Sequence, residues 1–282
     1  MACSACGADS GHLMGCEFST FELRPTTPPP AVEDLALDTT RPRALSVPIA
    51  LAVSALLAFT DLGSMVLRIL FGMWLHELGH AVASWTCGVF AVPLPWITFS
   101  GDARSIPFIV LLVAGLGALG FWAKQQEDGR WLALPVTLGA LLLIGLLLPF
   151  RHVRTFILFS GDGGAMVFGT LLMLGTVLLP DASRAAKGAL RWGYVVIGAG
   201  AFMDAFVPWV KASRDWAELP FGRNEGAGLS DALRLVEQSH WSELFLVRSY
   251  LVLGAACLVV LAIAVAWRLT SSGSAARTLR GR

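Results

Sequence analysis

Trp74-Leu75-His76-Glu77-Leu78-Gly79-His80-Ala81-Val82 sets three ionisable side chains inside an apolar run, and how that run is read decides the fold. At 100° per residue, His76 and His80 lie about 40° apart on one helix face, with Glu77 projecting beside them. An ionised residue at a helix centre in a bilayer costs roughly 2.5–3.5 kcal/mol on insertion scales, so Glu77 requires a compensating partner. The H-E-x-x-H spacing supplies one: two imidazoles bind Zn²⁺ and the glutamate acts as general base toward the attacking water. The plainer alternative is a polar packing cluster or a proton relay without metal.

Composition extends the membrane reading to the whole chain. Of 282 residues, 55% are hydrophobic and 15% charged, with mean hydropathy +0.67, whereas soluble domains carry about 25% charged residues. Apolar runs of bilayer length fall at 45–60, 64–88, 106–123, 131–149, 155–179, 190–210 and 244–267. The expectation is an all-α polytopic membrane helix bundle of about six or seven transmembrane helices. It occupies 44–268, between an amino-terminal tail with a Pro-rich linker (1–43) and a basic carboxy-terminal tail (269–282). The placement expected is multi-pass in a cell (inner) membrane. Lys and Arg near the span ends slightly favour a cytoplasmic carboxy terminus. A net charge of +1 says nothing about an anionic partner, and the absence of a basic cluster interleaved with aromatics argues against a nucleic acid partner.

Residues 24–43 hold Thr26, Thr27, Pro28, Pro29, Pro30 and Pro42 among scattered charges, a composition that cannot bury a core. Before them, Cys3, Cys6, His12 and Cys16 have C-x2-C-x5-H-x3-C spacing. That is either a small zinc knuckle or a reduced cysteine tail. Cys87 and Cys257 fall within expected spans and read as small apolar packing residues.

A catalytic zinc normally takes three protein ligands, so a further one should come from another span. Asp162, in Phe159-Ser160-Gly161-Asp162-Gly163-Gly164, is the candidate: its glycines permit close backbone approach, tolerated at membrane depth where it lines a wet cavity. Its other reading is a helix N-cap. Asp204, in Phe202-Met203-Asp204-Ala205-Phe206, competes as a partner to a ligating His or as a separate proton site.

The membrane H-E-x-x-H helix, the Asp-Gly roughly eighty residues later and the Pro-rich stretch between them resemble the site-2 protease family of intramembrane zinc metalloproteases. The resemblance covers about residues 64–179. It implies His76, His80 and Asp162 as zinc ligands and Glu77 as catalytic base. It further implies that Phe90 to Ile97, with Gly88, Pro93 and Pro95, forms a short extended hairpin after the catalytic helix that meets a transmembrane protein or peptide substrate. Two departures stand out. Ile157-Leu158-Phe159-Ser160-Gly161 lacks the Asn and prolines that often precede the family's Asp-Gly, and the chain has no room for an inserted regulatory domain.

Other membrane metalloenzymes fit less well. No Glu here opens an E-x-x-x-D helix, and five histidines are too few for a di-iron hydroxylase. His152 and His240 read as interfacial. Between residues 211 and 242, Ser230-Asp231 followed by Leu233 and Val236 suggests a short amphipathic helix, either a gate or a connector. The functional expectation is an intramembrane zinc metalloprotease. The alternative is a non-hydrolytic membrane protein, transporter-like or a regulatory scaffold, with a metal or proton site on the same residues.

Overall fold

The computed structural model describes residues 40–126, 129–179, 188–224 and 228–280. Most of the 1–43 tail, including the Cys3, Cys6, His12 and Cys16 set, lies outside the described residues.

The described chain is mostly helical, with two small two-stranded sheets. In order come α1 (Thr40–Ala58), α2 (Asp61–Leu67), a π-helix (Arg68–Gly72), α3 (Met73–Thr86), β1 (Val89–Pro93), β2 (Thr98–Arg104), α4 (Ile106–Gln125), α5 (Ala133–Leu147) and α6 (Phe150–Leu178). Then follow α7 (Gly188–Ala212), β3 (Arg223–Asn224), β4 (Gly228–Leu229), α8 (Asp231–Ser239) and α9 (Glu243–Arg280).

Four helices among the described residues are long and apolar enough to cross a membrane: Ile106–Gln125, Phe150–Leu178, Leu190–Ala212 and Glu243–Ser271. The count is below the six or seven expected, for local reasons. Pro42–Ala58 and Ala133–Leu147 form only short apolar helices, about 26 and 22 Å long against a hydrocarbon core of about 30 Å. The 64–88 run is helical without a break from Asp61 to Thr86, but a π-helical segment divides its α-helical hydrogen bonding. Thr60 caps α2, its Oγ1 accepting from Gly63 N at 3.1 Å, and the wider π turn separates α2 from α3. At the other end, α9 continues to Arg280, past the expected end of the last span.

The core lies where α6 runs against α7, with α3 crossing α6 and α9 and α1 packing outside them. Met166, Met173, Phe202 and Trp209 are fully buried there. Arg43 is also buried, its Nη2 donating to Thr176 O at 3.0 Å, which satisfies a carbonyl in the last turn of α6. α3 and α6 meet backbone to backbone: a Cβ on Gly164 would lie 2.5 Å from Gly79 Cα. Overpacking a close crossing typically costs about 1–3 kcal/mol, so Gly164→Ala is expected to destabilise the protein by that amount. Thermal unfolding in one detergent, wild type beside variant, checks it.

β1 and β2 form the hairpin expected after α3, antiparallel with Pro93 opposite Thr98 and Val89 opposite Arg104, and with a bulge between Val89 and Ala91. Three anchors hold it over the helix. Trp85 Nε1 donates to Ala91 O (2.9 Å), Thr98 Oγ1 to Glu77 O (2.8 Å), and Arg104 Nη2 to Gly145 O (2.8 Å) and Leu148 O (2.6 Å) at the end of α5. The hairpin thus roofs the face of α3 that carries the H-E-x-x-H residues.

Candidate metal centre

The two imidazoles of α3 point toward α6 and α8. Each has its Nδ1 against an acceptor: His80 Nδ1–H donates to Ile157 O at 2.7 Å, and His76 Nδ1–H to Asp162 Oδ1 at 2.9 Å. A carbonyl and a carboxylate both lack protons to give, so these contacts place the imidazole protons on Nδ1. In the neutral rings, Nε2 is then a bare lone pair. The two Nε2 atoms lie 3.1 Å apart, and Asp231 Oδ2 sits 2.9 Å from His80 Nε2 and 3.2 Å from His76 Nε2.

Asp231 is an anion. Burial works against its charge, but hydrogen bonds from His76 and His80, which require a proton on Nε2, hold its carboxyl well below the usual carboxylate range; with no metal, a proton there takes the cation's place. Two imidazole lone pairs and a carboxylate oxygen facing one another at these separations repel unless a cation, metal or proton, lies among them. Tetrahedral zinc with bonds near 2.0–2.1 Å would separate its ligand atoms by about 3.3 Å, close to all three distances observed. The donor set, two N and one O, suits zinc.

Gly161 supplies the space. A Cβ there would lie 2.6 Å from His76 Nε2 and 2.7 Å from His80 Nε2, filling the volume beside both donors. Gly161→Ala is therefore expected to abolish stoichiometric metal binding while leaving the helical content unchanged. Metal analysis and far-UV circular dichroism of the purified variant test both halves.

The sequence-expected residues come together with one difference in arrangement. His76 and His80 converge through Nε2. Glu77 is buried and is one of the residues lining the cavity that opens over the pair. Asp162 is adjacent, but both its oxygens face away from the Nε2 atoms: Oδ1 meets His76 Nδ1 and Oδ2 accepts from Trp209 Nε1 at 3.0 Å. The third position beside the Nε2 pair is occupied by Asp231, which the sequence places only at the head of a short amphipathic helix. That helix forms as α8, with Ser230 Oγ accepting from Leu233 N at 3.4 Å. Asp204 lies apart, packed beside Gly72 and 3.6 Å from Arg68 Nη1.

Aromatic packing fixes Asp162. Trp209 is fully buried and stacks on Tyr250 (centroids 4.1 Å, 19°), which stacks on Phe159 (4.4 Å, 19°) and donates through its hydroxyl to Phe159 O at 3.1 Å. Nothing in the spacing of Trp209 or Asp231 marks either for this place.

The cavity over the cluster has a volume of about 360 Å³ and is walled by the hairpin residues Trp96 and Ile97, by Arg154 of α6 and by Arg234 of α8. No protein-family model, curated protein or solved structure matches this chain.

Proposed function

We propose that the protein is an integral membrane zinc metalloprotease that hydrolyses peptide bonds in or near the transmembrane segments of its substrates. The observation that carries this reading is the convergence of His76 Nε2, His80 Nε2 and Asp231 Oδ2 within 3.2 Å of one another beneath a cavity lined by Glu77.

His76, His80 and Asp231 would hold the metal. Asp162 and the Ile157 carbonyl fix the tautomer and orientation of the imidazoles, as partners of ligating histidines usually do. A bound zinc supplies Lewis-acid polarisation of the scissile carbonyl. Glu77 takes the proton of the attacking water and returns it to the leaving amine, the general acid–base role its place on the cavity wall allows. A helical peptide bond is shielded by its own hydrogen bonds, so substrate has to unwind locally, and the β1–β2 hairpin beside the cavity offers backbone partners for an extended segment.

Membrane placement draws on exposed apolar surface. The apolar window of α4 is 6% buried, and Ile106, Val136 and Leu147 are among many large apolar side chains left open. Continuous apolar surface on that scale requires a lipid surround rather than water. In this reading α1, the 61–86 run and α5 complete a multi-pass bundle in a cell membrane, with thinning or tilting of the bilayer meeting the shorter helices.

The test is metal content of wild type and His80→Ala, followed by cleavage of a model single-span substrate. Wild type should carry one zinc per chain and cut. His80→Ala should do neither. Wild type without metal removes the proposal, and wild type with metal but no cleavage of any presented span favours the non-hydrolytic scaffold.

A further inference from the structure

A second cavity, of about 710 Å³, adjoins the first and shares Arg154, Leu158 and Gln238 with it. It opens where α6 and α9 begin side by side, an arrangement held by the Thr155 Oγ1–Ser239 Oγ hydrogen bond (2.8 Å) and the Phe159–Tyr250 stack. Arg151, His152 and Arg154 of α6 line it with His240 from the end of α8, and none of its described lining residues is a carboxylate. Its floor is apolar, with Phe156 and Trp241 among the lining side chains. His240 is held there by the αL conformation that ends α8 (φ 56°).

We propose that this cavity is a binding site for the headgroup of an anionic phospholipid. Two guanidiniums and two imidazoles offer donors to a phosphate diester, while the aromatic floor suits the glycerol backbone and the first methylenes. Both flanking helices are apolar enough to cross a membrane, and a basic pocket between the ends of such helices is where lipid headgroups lie. The absence of a lining carboxylate separates this cavity from the first, where Glu77, Asp102 and Asp231 offset Arg68, Arg154 and Arg234. The site rests on membrane placement alone and not on the metal or on hydrolysis. A headgroup seated there also contacts the end of α8, the helix whose first residue is Asp231.

The experiment uses full-length protein in zwitterionic nanodiscs or detergent, titrated with phosphatidylglycerol and read by thermal stability and native mass spectrometry. Expected are saturable one-to-one binding and a raised Tm with phosphatidylglycerol, and neither with phosphatidylcholine. The Arg151→Gln/Arg154→Gln double variant should bind about thirtyfold more weakly, at roughly 1 kcal/mol per basic residue. Arg248→Gln, an exposed arginine outside the cavity, should bind as wild type. Circular dichroism and Tm in phosphatidylcholine establish that the double variant folds. Equal binding by the double variant, or an equal loss in Arg248→Gln, overturns the site in favour of diffuse attraction to a charged surface. The same stabilisation by inorganic phosphate or by soluble glycerophosphoglycerol overturns the lipid assignment, leaving a site for a free phosphate anion.

Discussion

Replacing Glu77 by Gln is expected to lower peptide-bond hydrolysis by about 10²–10⁴-fold, the usual contribution of a positioned general base, while the protein keeps its full metal content. The substitution is nearly isosteric and leaves the main chain alone, so Thr98 Oγ1 still donates to the residue 77 carbonyl and the hairpin stays docked. It changes one thing: a group on the cavity wall that can accept a proton becomes one that cannot. The Nε2 pair and Asp231 Oδ2 meet without the Glu77 carboxylate among them, which is why metal and activity should separate. Single-turnover cleavage of a one-span substrate, with metal analysis on the same preparation, decides it. Activity within a few-fold of wild type removes Glu77 as the base, and loss of metal makes it a ligand.

Asp231→Ala is expected to weaken zinc binding on the order of a thousandfold, and Asp162→Asn only about 10–100-fold. Structural zinc sites are worth about 10–16 kcal/mol in apparent binding free energy, so losing one donor of three is about 4 kcal/mol, or roughly a thousandfold. Changing a partner that orients a ligating His typically costs 10–100-fold. The two carboxylates are separated by which nitrogen of His76 they face, Nε2 for Asp231 and Nδ1 for Asp162. Competition with a chromophoric chelator measures both. The reverse order of losses would return Asp162 to the ligand position that the resemblance to site-2 proteases implies, with Asp231 a removable neighbour.

His76, Glu77 and His80 were legible because a ligand pair at i and i+4 on one helix announces itself through spacing alone. Asp162 was legible as a residue of the site, read from the sequence as the third ligand, since an acid among glycines inside an apolar run has few other uses. Which nitrogen of His76 it meets was not, because that depends on how Trp209, stacked on Tyr250 of a later helix, holds its second oxygen. Asp231 was hidden by an ordinary role: an Asp following a Ser cap is what any helix start prefers. Nothing local distinguishes a first-turn carboxylate that meets solvent from one folded back onto distant imidazoles. Hydropathy located the apolar segments, four of which form helices long enough to cross a membrane among the described residues. It averages across the π segment at 68–72, where the hydrogen-bond pattern changes without any drop in apolarity.

Asp231 follows His80 by 151 residues, and three of the four long apolar helices lie between them. During synthesis the cluster therefore stays one donor short until three of the long apolar helices and the start of α8 have left the ribosome. A nascent chain that exposes only the first two imidazoles has no firm seat for an ion. Under the proposed reading, cutting power waits until those three helices have been made, and neighbouring newly made proteins are spared while the enzyme is still being assembled.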